Sequence, residues 1–125
     1  MTKKDIAHVE TALKILSKKL TSEAETLDGL GQPEAAQRVR SDVGEIDVLM
    51  MEKVKESGTG GFNERQRGLA RTAVAILVKN TKAAKGTCLA IGHDDWAATC
   101  EAEAGYIEET PLKQLEEQPE LLPPK

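Results

Sequence analysis

Aromatic side chains are nearly missing: Phe62, Trp96 and Tyr106 are the only three in 125 residues. Proteins that hold single-stranded nucleic acid stack bases on aromatic rings, so that class of function is disfavoured. A net charge of −4 argues the same way, because a dedicated nucleic-acid surface needs a dominant basic face. The β-branched, aromatic-rich runs expected of strands are missing too, which leaves a helical protein. Cysteine is confined to Cys88 and Cys100, too few for a disulfide framework, and two reduced, half-buried thiols are expected. No run approaches the ~18 apolar residues of a membrane span, and the N-terminus lacks a signal-peptide stretch. A soluble, cytoplasmic protein is expected.

The apolar content, 39% of residues, is Leu, Ile, Val, Met and a large share of Ala, which suits closely approaching helices. Charge changes sign from block to block. Residues 1–20 carry +3, residues 21–60 carry −5, residues 61–86 carry +5 and the remainder −7. Successive helices of opposite sign can lie against one another, which predicts an all-α, up-and-down bundle of four main helices. One domain is expected over residues 1–110. Residues 111–125 form a C-terminal extension with a short helical turn and a partly disordered, Pro-rich tail.

Periodicity places the elements. Ile6, Val9, Leu13, Leu16 and Leu20 recur at spacings of three and four, with Leu27 and Leu30 in phase and Ala24 covering the break at Glu23. Thr2 with Asp5 predicts an N-terminal cap. Gly29, Gly31 and Pro33 end this helix and start the next, whose stripe is Ala36, Val39, Val43, Ile46, Met50 and Val54, widened by Leu49. The two make an antiparallel hairpin. The glycine-rich stretch 57–61 lacks both the preceding strand and the G-K-[ST] of a phosphate loop, and reads as a turn. Asn63 with Gln66 caps the third helix. Residues 72–78 are apolar on nearly every side, so this helix is expected to be the most buried. It stops at Gly86 or runs on to Gly92. The fourth starts at Asp94 or Asp95, presents Trp96, Cys100, Ala104 and Ile107 on one face, and is punctuated at Thr110-Pro111. Gly44, Gly68 and Gly105 sit inside helices at about 1 kcal/mol each relative to Ala. They are either tolerated defects or points of close helix crossing.

Chemistry-bearing residues are sparse. Di-iron bundles need two E-x-x-H pairs, and the chain offers only a single Asp5-x-x-His8. Cys88, His93 and Cys100 match no standard zinc spacing, even with His8 as a fourth ligand. His93-Asp94-Asp95 reads as helix-start chemistry rather than a base beside a nucleophile. Asp94 and Asp95 diverge by about 100° on a helix and cannot share one substrate. No catalytic residue, metal site or cofactor is assigned.

Lys82-Ala-Ala-Lys85-Gly86, with Gly92, Trp96 and Cys100 following, is similar to the H-x-x-K-G pattern of histidine-phosphotransfer domains, which are four-helix bundles. Lys82 stands where their phospho-accepting histidine would be. The resemblance therefore implies at most a receiver-binding bundle that carries no phosphate. Separately, Arg67 and Arg71, and then Lys79, Lys82 and Lys85, form a basic ladder along the third helix. It either balances the acidic fourth helix or docks an acidic protein or anionic ligand. The expected function is a small non-catalytic interaction module (adaptor, inhibitor or regulatory subunit) with a protein partner and possible self-association. An anion-binding or phosphorelay-like bundle is the alternative.

Overall fold

A computed structural model describes residues 2–54 and 59–117, and the expectation for the Pro-rich tail lies outside these residues. The chain forms α1 (Lys3–Gly29), α2 (Pro33–Val48), α3 (Glu64–Ala90), α4 (Asp94–Ile107) and a short α5 (Lys113–Glu117). Wide π-type turns at Leu49–Lys53 and Glu108–Leu112 extend α2 and join α4 to α5. Among the described residues there is no strand, so the all-α bundle of four main helices holds. No helix among them is long and apolar enough to cross a membrane.

Local chemistry sets the helix ends. Thr2 and Asp5 exchange side-chain-to-backbone hydrogen bonds at the start of α1, and Asn63 and Gln66 do the same at α3. The first turns of both helices thereby satisfy donors that have no partner inside the helix. The two hairpin turns are built alike. At the end of α1, Gly31 has φ +76°, and the Gln32 and Gly31 N–H groups donate to the Leu27 and Asp28 carbonyls. At the end of α3, Gly92 has φ +87°, and His93 and Gly92 donate to Cys88 and Leu89. Each is a Schellman stop, which needs glycine because a Cβ disfavours the left-handed backbone. α3 therefore runs through Gly86 to Ala90.

The two hairpins are staggered. Each is up-and-down within itself: Arg40 pairs with Asp28 across the first, and Lys82 Nζ lies 3.1 Å from Glu108 Oε2 across the second. Between them, Arg65 reaches Asp42 at 2.6 Å and Gln66 reaches Glu45 at 2.9 Å, so α3 begins beside the middle of α2. The end of α4 meets the start of α1, where the Tyr106 hydroxyl is 2.5 Å from Asp5 Oδ1. These levels run α3 antiparallel to α1 and leave about ten residues of α3 and α4 projecting past the first turn of α1. At 1.5 Å per residue that is an arm of roughly 15 Å. The Leu27–Ala36 end of the other hairpin projects in the opposite direction.

The core lies where the hairpins overlap. Leu13 and Leu16 of α1, Ile46 of α2 with Leu49 in the turn that extends it, and Val74 and Ile107 of the second hairpin are all buried. Two expectations change here. Residues 72–78 are not buried all round: Ala73, Val74 and Val78 are inside, while Thr72 and Ala75 face solvent. α3 packs on α1 and on the segment from α4 through α5 and meets α2 mainly near its own start, so one side stays open. The packed domain does not end at residue 110 either. Pro111 and Leu115 are fully buried, because the π-type turn absorbs the proline that lacks an N–H and carries the chain on into α5. Of the two readings left open for the interior glycines, tolerated defects is the one that holds: Gly44 and Gly105 face open space and Gly68 is near only the end of the Arg71 side chain, so none marks a close crossing.

Candidate functional site

The projecting arm holds the most distinctive surface. Within it the covered positions are Thr81, Lys85 and Cys88 on α3, and Ala97, Cys100 and Ala104 on α4. Both sets follow the three–four spacing of facing helical seams. The covered phase of α4 is thus set by Ala97, one residue past the Trp96 expected from sequence. Trp96 turns outward instead. At the tip Leu89, Ile91 and Trp96 are 50%, 63% and 58% exposed, and the His93 ring leans on Trp96 with centroids 4.3 Å apart. Asp94 and Asp95, both exposed, rim this apolar tip. A tryptophan four residues after a glycine stop was the available sequence signal. It was masked because Trp96, Cys100, Ala104 and Ile107 also satisfy a helical period.

The basic ladder does not form one site. Arg67 is buried near the start of α3, where it donates to the Phe62 carbonyl at 3.2 Å and pairs with Glu64. Arg71 is half-buried one turn on, and Lys79 is exposed. Lys82 and Lys85 lie farther along the helix, roughly 22 Å and 27 Å from Arg67 by helical rise. They face α4, where Lys82 pairs with Glu108 and Lys85 with Glu101. The bond from Lys85 holds the Glu101 carboxyl below its ordinary range, with the lysine charge adding to it and slight desolvation opposing. Lys82, Lys85, Glu101, Gly105 and Glu108 line a shallow, open groove. An anion entering it must displace two carboxylates from the two ammonium groups.

A polar joint anchors the arm to the body. Asp5 is completely buried, accepts from the Tyr106 hydroxyl, and accepts from the Thr2 N–H at 3.1 Å. Burial pushes its carboxyl up, but the bonds from Tyr106 and Thr2 outweigh that and hold it below its ordinary range. The same contact pushes the Tyr106 phenol up, with Thr2 and Lys4 opposing and burial assisting. Lys4 Nζ sits 4.1 Å over the Tyr106 ring and 3.6 Å from Glu103, a cation–π contact beside an ion pair. His8 Nε2 is 3.2 Å from Glu103 Oε1, off the line of a hydrogen bond. Sequence reasoning named Asp5 as a cap and His8 as a remote ligand candidate, but not their meeting with Tyr106, which is 101 positions from Asp5.

Among the described residues, no group of three or more His, Cys, Asp or Glu side chains is placed to hold a metal ion. Cys88 and Cys100 are free and partly buried. Comparison with protein-family models, curated proteins and solved structures returned no match.

Proposed function

We propose that this chain is a small non-catalytic helical interaction module, an adaptor or regulatory subunit, whose α3–α4 arm docks a protein partner. The observation that carries this reading is the exposure of Leu89, Ile91 and Trp96 together on a turn that projects from the body. A large aromatic surrounded by aliphatic side chains supplies the central contact of many interfaces, and leaving it in water gains nothing for folding. The carboxylates of Asp94 and Asp95 beside it favour a partner with a basic rim, since complementary charge steers encounter and rejects wrong partners. The lysines of the ladder are secondary here, because Lys82 and Lys85 are already engaged by Glu108 and Glu101.

Affinity capture from the native host with three forms of the chain tests this. The wild type should retain a partner and Trp96→Ala should lose it at least tenfold with an unchanged helical spectrum. The Lys79, Lys82 and Lys85 charge reversal should retain it. Loss on the lysine reversal with Trp96→Ala intact would move the surface to the ladder. Light scattering identifies the case in which the partner is a second copy.

A further inference from the structure

Cys88 and Cys100 lie opposite one another in the arm, and three observations agree on this. Lys85 pairs with Glu101 and Lys82 with Glu108, a register that sets residue 88 against residue 100 across the turn at Gly92. Both cysteines fall on the covered seams, between Lys85 and the turn on α3 and between Ala97 and Ala104 on α4. Their thiols also interact directly: proximity to Cys100 is one reason the Cys88 thiol is pushed up, after burial and with Asp95 adding. The buried neighbours of the seam on α4 are alanines, which let helix axes approach to the short end of the usual 8–10 Å. With Cα atoms about 2.3 Å out from each axis, facing residues at that spacing come within the span a disulfide needs.

We propose that Cys88 and Cys100 form a reversible intrachain disulfide across the α3–α4 arm, with a peroxide as the two-electron oxidant. Either thiol can serve as the attacking thiolate and the other as the resolving thiol, with the same balance of atoms; in one order Cys100 attacks first. Its sulfur takes one peroxide oxygen, the O–O bond breaks, and the departing hydroxide is protonated to water. The Cys88 sulfur then attacks the sulfenic sulfur of Cys100, the S–S bond forms, and the expelled hydroxide takes the Cys88 proton as a second water. Two thiols are oxidised by two electrons and one peroxide is reduced. A thiol reductant reverses the change by exchange. The site is independent of whether the tip binds a partner.

The test uses the full chain, fully reduced, freed of reductant and treated with a small molar excess of hydrogen peroxide. Both free thiols should disappear together and the intact mass should fall by two hydrogens, with the chain still monomeric on a non-reducing gel. Cleavage at Asp94 or Asp95 should leave the two halves joined until a thiol reductant is added. Cys88→Ser and Cys100→Ser, checked for an unchanged helical spectrum, should each abolish the mass loss and leave the remaining sulfur to gain oxygen or cross-link between chains. Retention of both thiols, independent addition of oxygen to each, or wild-type cross-linking between chains instead of within one would overturn the proposal.

Discussion

Removing one oxygen atom from Tyr106 tests how the arm is fixed to the body. Tyr106→Phe keeps the ring, its contact with Lys4 and its packing, but deletes the hydroxyl that donates to Asp5 Oδ1 at 2.5 Å. Asp5 is completely buried, so no water replaces the lost donor directly. A hydrogen bond to a charged group contributes about 1.5–3 kcal/mol, and that is the expected loss of stability. For a domain of this size each kcal/mol lowers the melting temperature by roughly 4 °C, giving a drop of about 6–12 °C. The pH dependence has a definite sign. The folded Asp5 carboxyl is held below its ordinary range, so its contribution is complete above the unfolded value of about 3.9 and is lost as pH falls through the folded value. The folded Tyr106 phenol is raised, so its contribution is complete below about 10 and is lost as pH rises through the folded value. The deficit of Tyr106→Phe should therefore be constant from about pH 5 to 9 and narrow on both sides. Urea unfolding followed by circular dichroism, from below about pH 4 to above about pH 10, measures both the plateau and its two flanks. A deficit below about 0.5 kcal/mol, or one that does not change at either extreme, would refute this account of the joint.

Two further substitutions probe the packing. Leu115 is fully buried in a segment expected from sequence to be an extension, so Leu115→Ala should cost about 2–4 kcal/mol in the same unfolding assay. A cost under about 1 kcal/mol would return the domain boundary to residue 110. A Cβ built on Gly44 meets nothing within 4 Å, so Gly44→Ala should stabilise α2 by about 0.5–1 kcal/mol. Destabilisation there would revive the close-crossing reading for that glycine.

What the sequence determined by itself is where helices begin and end. The Thr2–Asp5 and Asn63–Gln66 caps and the stop at Gly31 each join groups three to five residues apart, so composition and spacing carry them in full, while at the end of α3 the sequence left Gly86 and Gly92 open and the structure chose Gly92. The stripe of α1 was legible for the same reason: Val9, Leu13 and Leu16 are buried as their spacing requires. Which face of α4 is covered was not legible, because the register of the two hairpins decides how far the arm overhangs, and nothing local encodes it. Stagger left Trp96 in water and drew Asp5 and Tyr106 together, while the register of the second hairpin about Gly92 set Cys88 opposite Cys100. It also split the basic ladder, burying Arg67 beside Glu64 while Lys82 and Lys85 met the carboxylates of α4. Helix formation rests on contacts within one or two turns. Helix placement rests on which segments share a level in the bundle, and only the tertiary structure sets that.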